Sequence, residues 1–189
     1  MADRHILAVC FDFGDTLVDE ASEVKDGSLT TLRAKLIPGA DRLLKVLASR
    51  GYRLGLVAHA RPGTYRNVLS HYGLYDLFAA RATSEEVGVL KPDPRIFESA
   101  LRTLAVSRED YARTVMVGNR LDRHVRGANQ LGMISVWIDW SPRYSKVPAG
   151  SIEQPRFRVR EPLEVLDVID SLEREAGLAP LSDRESSVT

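Results

Sequence analysis

The chain has 189 residues, 44% of them hydrophobic, enough to close one core and too few for two comfortable domains. Lysine plus arginine equals aspartate plus glutamate at 26 each, so no net field draws the protein to nucleic acid or an anionic membrane, and any basic partner surface has to be local. The single cysteine, Cys10, excludes an internal disulfide, and no apolar run approaches the ~18 residues of a membrane span; a soluble, cytoplasmic protein is expected, with no membrane or nucleic-acid partner.

In chain order, the run ILAVCF (6–11) reads as a strand buried on both faces, because branched residues follow one another without polar alternation. Residues 18–38 are mixed and polar, and are expected as a mobile loop over the site. The spacing Ala40, Leu43, Leu44, Leu47 predicts a helix ended by Gly51. LGLVA (54–58) predicts a strand, and Tyr65, Val68, Leu69, Tyr72 a helix ended by Gly73. A weaker strand is predicted at 77–83. Asp93-Pro94 then supplies an N-cap and a first-turn proline for a helix carrying Phe97, Ala100, Leu101 and Leu104. TVMVG (114–118) and ISVWI (134–138) predict two more buried strands, separated by a helical stripe at Leu121, His124, Val125, Ala128 and by Gly132. A last stripe, Val165, Val168, Ile169, Leu172, precedes a tail at 178–189 expected to be disordered. Strand and helix alternate throughout, which implies a single α/β domain over 1–177. The expected architecture is a three-layer, Rossmann-like domain with a mostly parallel central sheet, and its site should lie at the carboxyl ends of the middle strands.

Asp12 stands at such a strand end in FDFGDTL (11–17). A carboxylate there can attack phosphorus or carbon and form an aspartyl intermediate; otherwise it caps the turn that follows. Four segments in order, FDFGDTL, LGLVAHA (54–60), VGVLKPDPRIF (87–97) and VMVGNRLDRHVRGANQLGM (115–133), resemble the haloacid dehalogenase-like superfamily over about residues 5–140. The resemblance implies a hydrolase, nominally a phosphatase without an inserted cap domain. Asp12 is then the nucleophile, Lys91 the clamp on nucleophile and phosphate, and Thr16 a bond to the loop backbone beside the substrate.

Three of the four motifs depart from the family's residues. Gly14 stands where the resemblance implies the acid that protonates the leaving group, so that function is either shifted to Asp15 or lost. General acid help is worth about 100- to 10,000-fold, and a lost acid implies weak action on alkyl phosphates. Ala58 takes the place of a phosphate-binding hydroxyl, with His59 beside it as a substitute contact. Asn119 and His124 stand for two acids, so a magnesium ion would rest on Asp12, the Gly14 carbonyl and Asn119, and would bind weakly. Two alternatives follow: a catalytically impaired relative serving as a binding or assembly module, or a metal-independent dehalogenase using Asn119 and Asp122. Capless relatives imply a phosphorylated substrate that is large or macromolecular, or closure of the site by homo-oligomerisation. The arginines at 120, 123 and 126 could greet such a substrate, and Trp140 and Tyr144 could line its rim, whereas Trp137 reads as core.

Overall fold

The computed structural model describes residues 4–178, so most of the tail expected to be disordered lies outside the described residues. Six strands form one wholly parallel sheet: β1 (Ala8–Phe11), β4 (Arg53–Ala58), β5 (Phe78–Thr83), β6 (Thr114–Gly118), β7 (Ile134–Ile138) and β8 (Phe157–Val159), in the order β5-β4-β1-β6-β7-β8. The five predicted strands are all present. The edge strand β8 escaped the pattern because FRV is three residues long, with only Val159 buried.

The alternation of β1 explains the layers. Val9 and Phe11 point to one face, where they pack with α1 (Ala40–Ser49), α2 (Pro62–His71) and α6 (Glu164–Glu175). Ala8 and Cys10 point to the other, against α4 (Pro94–Thr103) and α5 (Arg126–Gln130). With both faces covered, every β1 side chain is buried, and burial pushes the Cys10 thiol up to about 12, a packed core thiol. Asp93 caps α4 by accepting from the Arg95 amide, and Gly51 and Gly73 follow the first two helices at φ +78° and +67°, left-handed conformations that favour glycine. Before α4 comes only the single turn α3 (Ser84–Val87). No described helix is long and apolar enough to cross a membrane.

Two segments differ from expectation. The stripe at Leu121–Ala128 is not one α-helix: Leu121–Val125 winds as a wider π-helical turn before α5 begins. The stretch expected as a mobile loop is a two-stranded antiparallel hairpin, β2 (Val18–Lys25) and β3 (Thr31–Leu36). Its mixed, polar composition carries no alternating apolar pattern that would mark either strand. The pairing itself is irregular: Asp19 faces Lys35 and Val24 faces Arg33, which leaves Glu20–Glu23 bulged opposite a single residue.

The hairpin is tied to α2 by polar contacts. The Thr31 amide donates to Thr64 Oγ1 at 3.1 Å, Asn67 Nδ2 to the Thr31 carbonyl at 3.0 Å, and Tyr72 Oη to the Ala34 carbonyl at 3.0 Å. Asn67→Ala should cost about 0.5–1.5 kcal/mol, the net worth of one hydrogen bond, and should act locally. Hydrogen exchange is expected to quicken in the 18–36 amides while the sheet keeps its protection.

Candidate active site

Asp12 follows β1 directly and extends its ladder by one bond, its amide donating to the Val117 carbonyl at 3.0 Å. That fixes the carboxylate at the carboxyl edge of the sheet, between β4 and β6. Lys91, from the loop before α4, places Nζ 2.5 Å from Asp12 Oδ1 and 2.6 Å from the Val57 carbonyl. On the other oxygen, Oδ2, Thr16 Oγ1 donates at 3.3 Å and His124 Nε2 lies 3.4 Å away. Asp12 and Lys91 are both buried. Burial alone would raise the Asp12 pKa, but the His124 ring and the Lys91 ammonium override it and hold the carboxyl at about 2. Burial pulls the Lys91 ammonium down, against the attraction of Asp12; the short direct contact keeps the pair ionised.

The two histidines have fixed roles. The Arg120 amide donates to His124 Nδ1 at 3.1 Å, so Nε2 carries the proton and faces Asp12. Burial lowers the His124 pKa well below its usual value, leaving a neutral donor. Gly118 makes the room: a Cβ there would overlap the imidazole and come within 2.5 Å of His124 Cβ. At His59, Nε2 accepts from the Lys91 amide at 2.5 Å. A neutral ring that accepts at Nε2 carries its hydrogen on Nδ1, so the Arg123 Nη1 contact at 3.2 Å is not a second accepted bond. Burial first, then Lys91 and Arg123, hold His59 down at about 4. No carboxylate of the described residues pairs with Arg123, so its charge remains available to an anion.

These groups line a cavity of about 810 Å³, whose wall includes Asp12, Gly14, His59, Lys91, Asn119, Arg123 and His124. The hairpin adds Glu20, Glu23, Leu29 and Thr31, and Tyr144 closes one side with the Arg120 guanidinium 4.5 Å over its ring. Three expected site residues lie elsewhere. Ala58 is fully buried at the end of β4 within the core on the α1 side. Thr16 lies beneath Asp12, buried, and serves the carboxylate rather than a substrate. Asp15, at φ +50°, is fully buried in an ion pair with Arg143 and also accepts from the Glu20 amide at 3.1 Å, so it is not a displaced acid facing the cavity. Asp122 is turned to the Arg120 guanidinium, 2.6 Å and 2.9 Å away, and lines a separate small pocket, not the Asp12 cavity. Trp137 is core, as read, and its Nε1 donates to the Asn119 carbonyl at 3.1 Å; Trp140 packs against the core, and only Tyr144 reaches the rim. Glu20 had no signature in the sequence, because nothing local marks which residue of an irregular strand will turn inward.

The donors around Asp12 do not fit a resident magnesium ion. Asp12, Gly14 and Asn119 do share the cavity wall, but they bring one formal charge, and both oxygens of that carboxylate already face a cation or a hydrogen-bond donor. Magnesium favours several hard, charged oxygens; Glu20 and Glu23 also line this space, but Glu23 is engaged by Lys25 and Thr31, and Lys91 and Arg123 bring two positive charges to the same wall. Among the described residues no three His, Cys, Asp or Glu side chains come together as a metal-binding group.

Residues 27–132 match the family described as haloacid dehalogenase-like hydrolase. A glyceraldehyde 3-phosphate phosphatase of Methanopyrus kandleri is 35% identical over 141 residues, covering 75% of this chain and 59% of that protein. A phosphoserine phosphatase of Thermus thermophilus is 36% identical over 133 residues, covering 70% of this chain and 51% of that protein. The chain thus spans between half and three fifths of these curated relatives. Among solved structures, a phosphatase of Thermococcus onnurineus superposes with a TM-score of 0.71 at 19% identity over 87% of this chain and 98% of that one, a likeness of fold.

Two outcomes follow from the buried charges. Lys91→Met, which strands Asp12 without a counter-ion, should lower unfolding free energy by about 3–5 kcal/mol, and adding Asp12→Asn should recover much of the loss, as read by urea denaturation. Both histidines have folded pKa values below the usual 6.5, so the unfolded chain binds more protons. Their contribution is complete above about pH 6.5 and is lost as pH falls, through about 4 for His59. Urea midpoints should fall over that window, and less steeply in His59→Gln.

Proposed function

The chain belongs to the haloacid dehalogenase-like hydrolases, and we propose that it is a phosphoric monoester hydrolase that works through an aspartyl phosphate on Asp12. The observation that carries this reading is the 2.5 Å contact between Lys91 Nζ and Asp12 Oδ1 on the wall of the cavity of about 810 Å³ at the carboxyl edge of the sheet. A nucleophile has to be ionised, oriented and reachable at once. Lys91 keeps Asp12 ionised, Thr16 and His124 hold its other oxygen, and the cavity gives access. The names of the two relatives, both phosphatases, support the same reaction class.

In this reading the Lys91 ammonium and the Arg123 guanidinium take the phosphoryl oxygens, the work that Ala58 has no hydroxyl to share. His124 Nε2 stands 3.4 Å from Asp12 Oδ2, beside the oxygen that Thr16 also holds. No step is routed through magnesium, and turnover is expected to persist in a chelator. The dehalogenase alternative loses its water-activating group, because Asp122 is engaged with Arg120 outside the cavity. The pseudoenzyme reading rests on the replacements at Gly14, Ala58, Asn119 and His124; the nucleophile and clamp assembled on the cavity wall favour an enzyme.

Hydrolysis of 4-nitrophenyl phosphate tests the proposal. Turnover should fall by about three to four orders of magnitude in Asp12→Asn, the loss of a catalytic nucleophile, and should change less than about threefold between millimolar magnesium and excess chelator. Turnover that survives Asp12→Asn, or that requires magnesium, would overturn it.

A further inference from the structure

Gly14 leaves a gap beside the nucleophile, and the gap is filled. A Cβ on Gly14 would overlap Glu20 Oε1 and lie 2.6 Å from its Cδ and 2.8 Å from its Cγ. The carboxylate of Glu20 therefore occupies the volume that a side chain two residues after Asp12 would occupy, and it borders the same cavity as Asp12 and Lys91. We propose that Glu20 is the general acid and base of this site, delivered from the β2–β3 hairpin into the space that Gly14 leaves free.

The surrounding structure holds Glu20 for that task. It begins the irregular part of β2, and its side chain, 38% exposed, borders the cavity. Its amide donates to Asp15 Oδ1, and Asp15 is in turn paired with Arg143, so the fully buried Asp15 is a positioning residue for Glu20. Tyr144 Oη donates to Glu20 Oε2 at 3.3 Å, and Arg143 Nη2 lies 4.0 Å from the same atom. Oε1 accepts from no described side chain or amide, which leaves it for a substrate proton. Burial, and then the charges of Asp15 and Asp12, raise the Glu20 pKa from its usual value, the direction that suits a proton donor. The other hairpin carboxylate on the wall, Glu23, is engaged by Lys25 at 2.8 Å and by Thr31 Oγ1 at 2.9 Å.

The proposal rests on Asp12 as nucleophile. As an Asp12 oxygen bonds to phosphorus, the bond from phosphorus to the ester oxygen breaks, and that oxygen takes the Glu20 proton and leaves as an alcohol. Glu20, now a carboxylate, takes a proton from water as the water oxygen bonds to phosphorus and the aspartyl bond breaks. Phosphate leaves, and Asp12 and Glu20 return to their starting forms. Alkyl phosphates, whose leaving groups need a proton, thereby become substrates despite Gly14.

A series of 4-nitrophenyl, phenyl and benzyl phosphate, alike in shape and ordered by leaving-group basicity, tests this. In Glu20→Gln, kcat/KM should fall by about 100- to 10,000-fold on benzyl phosphate and by less than about tenfold on 4-nitrophenyl phosphate. The paired exchange Gly14→Asp with Glu20→Gly, which puts a carboxylate back into the same volume without overlap, should recover benzyl phosphate turnover. A Glu20→Gln variant that slows all three esters alike, or none, would overturn the assignment while leaving Asp12 in place. So would a parent enzyme that hydrolyses 4-nitrophenyl phosphate but not benzyl phosphate. If 4-nitrophenyl phosphate hydrolysis survives Asp12→Asn, the nucleophile reading fails and takes this one with it.

Discussion

The contact between Lys91 and Asp12 is the constraint around which the rest of the site is arranged. Two opposite charges buried at one strand end are costly to desolvate, and their mutual attraction offsets that cost only if every remaining donor and acceptor is met. The protein meets them from neighbouring strand ends. Val57 in β4 accepts from the ammonium, Thr16 donates to the carboxylate, His124 Nε2 stands 3.4 Å from the same carboxylate oxygen, and His59 accepts the Lys91 amide. They come from the ends of three neighbouring parallel strands, β4 for Val57 and His59, β1 for Thr16 and β6 for His124, which is why a sheet with all its carboxyl ends on one edge can assemble them.

Replacement at this site works by volume as much as by charge. Gly118 carries no side chain because the His124 ring stands against it, and Gly14 carries none because the Glu20 carboxylate does. Read singly, these glycines and the neutral groups at 119 and 124 look like losses. Together they describe a site in which a neutral imidazole stands against Asp12 and a distant carboxylate stands where a near one would. The cations that remain, Lys91 and Arg123, suit an anionic substrate better than a divalent metal.

The hairpin gives the cavity one of its walls. A bare loop would place Glu20 on no defined path, whereas a hairpin pinned to α2 through Thr64, Asn67 and Tyr72 carries it at a fixed depth. Asp15, strained at φ +50°, holds the first bulged amide. Much of the arginine-rich surface is spent on internal pairs of this kind: Arg143 with Asp15, Arg158 with Asp139, Arg126 with Glu153 at 3.9 Å.

The layered α/β fold, the five longer strands, and the placing of Asp12, His59 and Asn119 at strand ends were legible in the sequence, because buried parallel strands are continuous apolar runs and their ends show as breaks in those runs, whereas Lys91 joined them only through the family resemblance. The sequence also marked Gly14, Ala58, Asn119 and His124 as departures from a pattern. What each departure means depended on the folded arrangement. Asp15 is one residue from Gly14 yet its left-handed turn conformation points it into an ion pair, and Ala58 adjoins His59 yet sits in the core, because a one-residue step at the end of a strand reverses a side chain's face. Glu20 and Arg123 come from segments with no local signal for their direction, an irregular strand and a π-helical turn, and side chains on irregular backbone are aimed by what packs around them, not by their place in the chain.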